Sequence, residues 1–275
     1  MVDTAPVRNF FNSIGDPAHI VGNSTEELKL AVDYRYIRYF IVNPATDTIV
    51  FYGDYTLHGV ATVGELAAQV VAIFTKDTFL NKPYRNVKVC WHTDFELIPN
   101  LYLDDKEDGI NTDTGQNPIL AGEAQFVFEK PNEISLLIEQ KYSEVVHYHA
   151  GATMINLFDS PTESITPPLY VNIAAESIEV LYFDNNSALR LFNRYPYRAF
   201  QDYIYYLLLA AEECTIDPTN ARVVLMGEVS QDSKLYEMTY RYFSSVSFAT
   251  APATTRFSAA FDLYPKHLNY LLYNL

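Results

Sequence analysis

The feature of this sequence that most restricts its fold is a pattern that occurs twice, about 140 residues apart. Residues 28–57 and residues 168–197 each predict three short strands joined by tight turns. A segment with helical spacing and then a buried strand follow each copy. A β-β-β-α-β unit used twice predicts a duplicated α/β fold.

Each repeated unit is followed by more regular structure. The helical segments after the two meanders are 62–74 and 197–214, and the buried strands after them are 86–91 and 221–226. The remaining predicted elements are strands over 124–128, 145–148 and 246–248, and helices over 131–142, 151–158, 234–243 and 265–275.

We predict three parts in the chain, namely an N-terminal arm over residues 1–26, a first domain over 27–163 and a second domain over 164–275. Pro6 and Pro17 discourage regular structure in the arm. The first domain carries a loop-like insertion over about 94–123 that is rich in acidic residues. These acidic residues are Asp104, Asp105, Glu107, Asp108 and Asp113.

The acidic insertion does not have the pattern of a calcium-binding loop. A twelve-residue calcium loop that starts at Asp104 would end at Gly115, whereas such loops end with a Glu that binds the ion through both carboxylate oxygens. We therefore predict no calcium site there.

The charge of the chain excludes nucleic acid as a class of partner. Its 34 Asp and Glu outnumber its 19 Lys and Arg, which gives a formal net charge of −15 at pH 7. Nucleic-acid binding relies on clustered Lys and Arg, and the sequence contains no basic run.

The sequence predicts a cytoplasmic protein that does not insert into a membrane. No apolar run approaches the ~20 residues of a membrane span, and the N-terminus lacks the apolar core of a signal peptide. Cys90 and Cys214 lie in apolar elements, so we expect small buried side chains in a reducing compartment rather than a disulfide.

Two tandem β-β-β-α-β-α units resemble the architecture shared by actin, heat-shock chaperone ATPases and sugar kinases. Four segments also resemble an uncharacterised Bacteroidetes family described as having an actin-like ATPase fold, and these are LYFDNNSALRLFNRYPY, DYIYYLLLAAEECTIDP, VVLMGEVSQDSKLYEMTYRYF and FDLYPKHLNYLL. The resemblance covers residues 28–275. It implies two ribonuclease-H-like domains (β-β-β-α-β-α-β-α), with mixed sheets flanked by helices and a nucleotide cleft between the domains. It implies no activity, because fold does not determine function.

The resemblance locates a nucleotide signature that can be compared with this chain. In actin-like ATPases the first hairpin turn of each half carries Asp, then Gly and Ser or Thr, because phosphate must approach the backbone while Asp holds a hydrated cation. The first turn here offers Asp33, Tyr34 and Arg35, with a bulky ring where Gly is expected. In the second half Asn172 stands at the acidic position, with Ala174 after it. Asn172 cannot supply the negative charge that Mg²⁺ favours.

The adenosine-side motif of the actin-like fold is also incomplete in this chain. It survives as Gly227 and Glu228, with one Gly of the expected pair. Weakened residues at all three places indicate a pseudo-ATPase, because phosphoryl transfer depends on metal and accurate positioning. We therefore expect no cofactor, with ATP and Mg²⁺ as the alternative.

Two other groups of residues have the spacing of binding sites. His147 and His149 alternate along a predicted strand and share a face, which suits metal ligands or, alternatively, polar residues at a strand end. A third ligand is missing nearby, so we predict no metal site. Trp91, His92 and Thr93 end another strand, where α/β folds place ligands.

Aromatic residues are abundant and offer a surface for a protein partner. The chain has 22 Tyr and 17 Phe, and Tyr236, Tyr240 and Phe243 are spaced along one helical face. Such a face suits an interface because the rings bury area while the hydroxyls stay in water. The alternative is packing against the domain's own sheet.

The sequence thus supports two hypotheses of function. The first is a catalytically degenerate actin-fold adaptor or scaffold that binds an unknown protein partner or forms a homo-oligomer. The second is a nucleotide-binding ATPase or kinase-like enzyme with Asp33 as the metal-side carboxylate and Gly227 beside the base. The second predicts Mg²⁺-dependent ATP binding that Asp33→Asn or Gly227→Trp abolishes.

Overall fold

The computed structural model of the protein describes residues 10–15, 20, 25–100, 114–159 and 167–275. The chain divides into two units. The first runs to Ala152 and also contains residues 253–264 and 275, and the second contains residues 153–252 and 265–274. The chain passes from the first unit to the second within helix α3 (Ala150–Phe158).

The main sheet of the first unit has seven strands in the described part of the chain. They are β1 (Phe10–Gly15), β2 (Glu27–Val32), β3 (Tyr36–Asn43), β4 (Thr48–Thr56), β5 (Asn86–Trp91), β9 (Glu144–His149) and β15 (Arg256–Phe257). Their order is β1-β4-β3-β2-β5-β9, with β15 also beside β4. The meander β2-β3-β4 is antiparallel and β5 runs parallel to β2, which confirms the first predicted repeat.

Helices α1 (Val63–Lys76) and α2 (Asn132–Lys141) of the first unit contact each other. A capping box starts α1, because Thr62 Oγ1 accepts the Glu65 N–H at 3.2 Å while Glu65 Oε2 accepts the Thr62 N–H at 3.0 Å. Leu66 and Val70 of α1 are buried. Both helices were predicted from the spacing of their apolar residues.

The prediction of a loop-like insertion over about 94–123 is wrong at both ends of that segment. Strands β6 (Phe95–Pro99) and β7 (Thr114–Ile119) each pair antiparallel with β8 (Ala124–Glu129) to form a second, three-stranded sheet. Pro99 and Pro118 interrupt the sequence pattern of these edge strands, which is why they resemble loops. The five acidic residues and most of the rejected calcium loop lie outside the described residues.

The prediction of an irregular N-terminal arm is also wrong for residues 10–15. These residues form β1, which pairs antiparallel with β4 from Phe10 opposite Thr56 to Gly15 opposite Phe51. A partner strand about 40 residues away supplies the hydrogen bonds, so no local pattern reveals the strand.

Residues 253–264, which the sequence places in the second domain, pack in the first unit instead. Strand β15 pairs in parallel with the start of β4. Phe261 is buried, and its ring centroid lies 6.4 Å from that of Phe40. Tyr264 meets Phe40 edge-on at 6.3 Å. The aromatic rings of this segment therefore complete the core of the first unit.

The second unit contains the second copy of the repeat. Its five-stranded sheet has the order β12-β11-β10-β13-β14, and α4 and α5 flank it. These elements are β10 (Leu169–Ile173), β11 (Ser177–Phe183), β12 (Leu189–Pro196), α4 (Phe200–Glu213), β13 (Arg222–Gly227), α5 (Lys234–Tyr242) and β14 (Ser245–Phe248). The meander β10-β11-β12 is antiparallel and β13 is parallel to β10, as in the first unit.

The predicted C-terminal helix over 265–275 is mostly absent. Only α6 (Tyr270–Tyr273) is helical, and Asn269 before it adopts a left-handed conformation with φ of 52°. The preceding residues form a turn in which the Leu268 N–H donates to Pro265 O at 3.0 Å. Within the described ranges, no helix is both long enough and apolar enough to cross a membrane.

Candidate functional site

The first candidate phosphate turn is a tight hairpin between β2 and β3. The Asp33 N–H donates to Tyr36 O at 2.9 Å, and the Tyr36 N–H donates back to Asp33 O at 3.3 Å. Asp33 Oδ1 accepts the Arg35 N–H at 3.0 Å, so this carboxylate stabilises its own turn. Tyr34 and Arg35 form the tip, and Tyr34 is 39% exposed.

A backbone hydrogen bond joins this turn to the residue after β4, and the residue after β5 lies beside it. The Leu57 N–H donates to Arg35 O at 2.6 Å. Tyr36 Oη lies 3.5 Å from His92 Nδ1, and the Arg38 guanidinium lies 4.1 Å from the centre of the Tyr36 ring. The structure thus brings the predicted strand-end residue His92 next to the candidate turn.

The second candidate turn, between β10 and β11, repeats two of the backbone hydrogen bonds of the first. The Ala174 N–H donates to Ser177 O at 2.9 Å, and the Tyr197 N–H donates to Glu176 O at 2.9 Å. Tyr197 Oη also donates to Ala174 O at 2.7 Å. Ala174 is therefore the counterpart of Asp33, and Glu176 that of Arg35.

Asn172 consequently does not occupy the position of an acidic turn residue. It lies within β10, directly opposite Glu179 on β11, just as Ala31 lies opposite Arg38 in the first unit. Its Nδ2 donates to Glu179 Oε2 at 2.9 Å, and Arg194 Nη2 donates to Glu179 Oε1 at 2.9 Å. Asn172 thus belongs to a buried ion-pair cluster in the sheet.

Gly227 is required by the chain's own backbone. Its φ is +84°, and an added Cβ would lie 2.2 Å from Ile173 O and 2.7 Å from Asn172 Oδ1. The Gly227 N–H donates to His267 O at 2.9 Å, and the Glu228 N–H donates to Ile173 O at 2.6 Å. The backbone donors of the predicted adenosine-side motif are therefore already engaged.

The segment that contains His267 packs against the end of β13. His267 Nε2 donates to Val229 O at 2.7 Å, and its ring stacks on Phe248 with centroids 4.1 Å apart. Burial lowers the pKa of His267 below its usual value, although the hydrogen bond to Val229 opposes this shift. Sequence reasoning missed this segment because its contacts join residues about 40 positions apart.

The structure gives His147 two partners that define its tautomer. Trp91 Nε1 donates to His147 Nδ1 at 3.0 Å, and His147 Nε2 donates to Glu139 Oε1 at 2.8 Å. Burial lowers the pKa of His147, although the hydrogen bond to Glu139 opposes this shift. Both ring nitrogens are therefore engaged in a neutral imidazole.

His149 is completely buried, and its ring is packed among Phe95, Phe126 and Phe128. Its Nε2 lies 3.0 Å from Thr93 O, and its Nδ1 accepts the Gly151 N–H at 3.0 Å. Neither histidine has a nitrogen left for a metal. Among the described residues, no three His, Cys, Asp or Glu side chains are grouped as metal ligands.

The aromatic face predicted on residues 234–243 is divided between core and surface. Phe243 is buried in the core of the second unit. Tyr236 is half-buried, and its ring stacks on Phe248 at 5.3 Å and on Tyr240 at 6.3 Å. Tyr240 is 64% exposed. One edge of the predicted face thus reaches solvent while the other packs inward.

Comparison with known proteins gives a family and a fold. The sequence model of the family described as "Protein of unknown function (DUF3822)" matches residues 19–246. A protein from Bacteroides thetaiotaomicron VPI-5482, described as having an actin-like ATPase fold and unknown function, is similar with a TM-score of 0.69. The identity is 16%, over 84% of this chain and 93% of that chain. No protein with a curated description matches the chain.

A second similar structure is a chain of the PilM-PilN type IV pilus biogenesis complex, with a TM-score of 0.62. The identity is 12%, over 91% of this chain and 97% of that chain. At these identities the two likenesses establish the fold alone, which is the actin-like ATPase fold that the resemblance implied. The family match covers most of the chain, and the protein therefore belongs to the DUF3822 family.

Proposed function

We propose that this protein is a catalytically degenerate member of the actin-like fold that works in the cytoplasm as an adaptor or scaffold for a protein partner. One observation carries the proposal. The backbone N–H groups where the fold would receive a nucleotide already donate to the chain itself, namely Arg35 to Asp33, Gly227 to His267 and Glu228 to Ile173.

The competition for these donors disfavours nucleotide binding. Phosphate sites depend on backbone N–H groups that point at the ligand. Here each such group would first have to break an internal hydrogen bond, at a cost of roughly 1 kcal/mol each. The Asp33 carboxylate is likewise directed into its own turn through the 3.0 Å bond from Arg35.

The side chains at the two turns also oppose phosphate. Tyr34 places an aromatic ring at the first tip, where the backbone would have to approach the ligand. Exposed Glu176 occupies the second tip, where its negative charge repels phosphate. Ala174, the counterpart of Asp33, offers no carboxylate for a cation.

The adaptor part of the proposal is supported by fold likeness and by surface chemistry. The structure with a TM-score of 0.62 comes from a complex between two proteins, PilM and PilN. In this chain Tyr240 is 64% exposed beside Tyr242, which is 43% exposed, at the end of α5. Exposed tyrosines favour protein interfaces because a rigid ring buries area at low entropic cost.

The first test is a thermal-shift titration of the full chain with ATP or ADP and Mg²⁺. We expect no Mg²⁺-dependent shift at millimolar nucleotide. A ligand present at about 100 times its dissociation constant would stabilise the protein by about 2.7 kcal/mol. Such a shift in the wild type, lost in Asp33→Asn, would overturn the proposal and support the alternative ATPase.

The second test concerns the partner surface. Proteins captured on the wild-type chain are compared with those captured on Tyr240→Ala and on Tyr205→Ala, which removes an exposed tyrosine of α4. Tyr240 is 64% exposed and Tyr205 is 61% exposed, so the two variants remove similar areas of exposed aromatic surface. We expect Tyr240→Ala alone to lose the partner. Equal retention by both variants would exclude the α5 surface.

A further inference from the structure

Strand β1 is an exposed apolar edge of the main sheet in the first unit. It lies at the end of the strand order, and its inner edge pairs with β4 along all six residues. Phe10 is 60% exposed and Phe11 is 43% exposed. Their rings touch only one neighbour each among the described aromatic contacts, His58 for Phe10 and Tyr55 for Phe11. No described strand pairs with the outer edge of β1.

The opposite edge of the same sheet is protected by a side chain. Asn117 of β7 donates through Nδ2 to His147 O at 2.9 Å and accepts the His149 N–H through Oδ1 at 2.7 Å. This amide takes the place of a neighbouring strand along β9. Protection of this kind prevents another chain from pairing with an edge.

The other sheet edges carry features that discourage pairing. Strand β12 bears Arg190 and Arg194, and strand β6 bears Glu96 and Pro99. Strand β7 contains Pro118, and β14 is only four residues long. Charged residues, proline and short length are the usual protections of edge strands. Strand β1, with the sequence FFNSIG, has no charged residue and no proline.

The charge of the protein restricts where two copies can approach each other. Two chains that each carry a net charge of −15 repel each other over most of their surfaces. Asp54 is the charged residue among those of β4 that lie directly opposite β1. Arg38 Nε lies 3.2 Å from Asp54 Oδ2 and balances its charge. Close approach along β1 therefore brings together uncharged side chains.

We propose that β1 pairs antiparallel with β1 of a second copy about a twofold axis, which joins two seven-stranded sheets into one. A strand that pairs with itself about a twofold axis forms a self-complementary interface. A pair centred on Asn12 sets Phe10 of one copy beside Ile14 of the other on the same face, because directly opposite residues share a face. In this register Phe11 of one copy lies beside Ser13 of the other, and each ring gains a neighbour that covers part of its exposed surface.

The experiment measures the mass of the full chain by light scattering and sedimentation between roughly 5 and 200 µM, a range that detects association with a dissociation constant on the order of micromolar. We expect the mass to approach twice the 31.4 kDa of one chain. Asn12→Lys should raise the dissociation constant at least about tenfold, because two like charges face each other across the axis.

Asn12→Lys leaves β1 in place, because the new ammonium lies opposite Asp54 within the same chain. The matched control is Asn193→Lys on the edge strand β12, which should dimerise as the wild type does.

Two results would overturn the proposal. A wild type that stays monomeric at about 200 µM excludes the dimer. An Asn12→Lys variant that dimerises as the wild type does excludes β1 pairing centred on Asn12.

Discussion

Glu179 Oε1 accepts a hydrogen bond of 2.9 Å from Arg194 Nη2 across the adjacent strands β11 and β12. The first repeat contains the same cross-strand pair with the charges exchanged, since Arg38 Nε lies 3.2 Å from Asp54 Oδ2 across β3 and β4. In each unit the two residues are directly opposite in the strand register. Both halves thus place one ion pair at the same site in the meander.

We predict that the Glu179–Arg194 pair tolerates exchange of its charges. Glu179→Ala should cost about 3 kcal/mol in the free energy of unfolding, because it leaves the Arg194 charge unpaired on a largely buried site. The double variant Glu179→Arg with Arg194→Glu reproduces the order of charges of the first unit and should recover at least half of that loss. Urea unfolding measures the free energy of unfolding of the single and the double variant. A double variant less stable than Glu179→Ala would contradict the prediction.

A second prediction separates the structural role of Gly227 from a role in ligand binding. Gly227→Ala should lower the free energy of unfolding by at least about 2 kcal/mol without any nucleotide, because its Cβ would collide with Ile173 O. The control is Gly64→Ala in α1, whose Cβ meets no atom within 4 Å. It should change stability by no more than about 1 kcal/mol, in the stabilising direction. Equal stability of the two variants would contradict this account.

A third prediction concerns the buried carboxylate of Asp77, which follows α1. Its oxygens accept bonds from Tyr39 Oη at 2.9 Å, Tyr55 Oη at 2.6 Å and the N–H groups of Phe79 and Leu80 at 2.7 Å each. Burial and the nearby Asp77 raise the pKa of Tyr39, so it remains a neutral donor.

Asp77→Ala should therefore cost about 3 kcal/mol or more, because it leaves several buried donors unpaired. Tyr39→Phe should cost only about 1 kcal/mol, because the carboxylate keeps its other three bonds. Chemical denaturation of the two variants tests the ranking. It would be refuted if removing the single hydroxyl were as harmful as removing the carboxylate.

A fourth prediction is that His147 makes the protein less stable in mild acid. Burial lowers its pKa in the folded state below the usual value of 6.5, and protonation would remove the Trp91 hydrogen bond to Nδ1. Its contribution to stability is therefore full above pH 6.5 and is lost as the pH falls through the folded-state pKa.

The measurement is the free energy of unfolding at pH values on either side of 6.5 for the wild type and for His147→Gln. We expect His147→Gln to reduce the loss of stability on acidification. The half-buried His267, whose pKa is also lowered, contributes in the same direction and accounts for part of the remaining dependence. An unchanged pH profile in His147→Gln would contradict the prediction.

The repeated unit could be predicted because its signals are local. Apolar residues alternate in the strands, and Thr62 and Glu65 have the spacing of a capping box at the start of helix α1. Strand β5 was predicted at its observed bounds, Asn86–Trp91. Strand β1 and residues 253–264 could not be assigned in this way, because their partners lie far away along the chain.

The candidate site was predicted only in part. Sequence comparison with the actin-like signature identified Asp33, Tyr34 and Arg35 as turn residues, and they form the tip and base of the first hairpin. The counterpart of Asp33 is Ala174 rather than Asn172, because the register of β10 and β11 fixes which residues close the second turn. A shift of two residues keeps the same alternation of apolar side chains, so the pattern does not reveal it.

The sequence by itself determined the duplicated α/β architecture, the acidic charge and the residues of the altered turns, because hydrophobic period, composition and residue type are properties of short segments. Only the tertiary structure decided which backbone groups outside those turns are already engaged. The Gly227 N–H donates to His267 O, and Asn117 Nδ2 donates to His147 O at the edge of β9. Such pairings join residues roughly 30 to 40 positions apart, and they form only when packing brings the segments together.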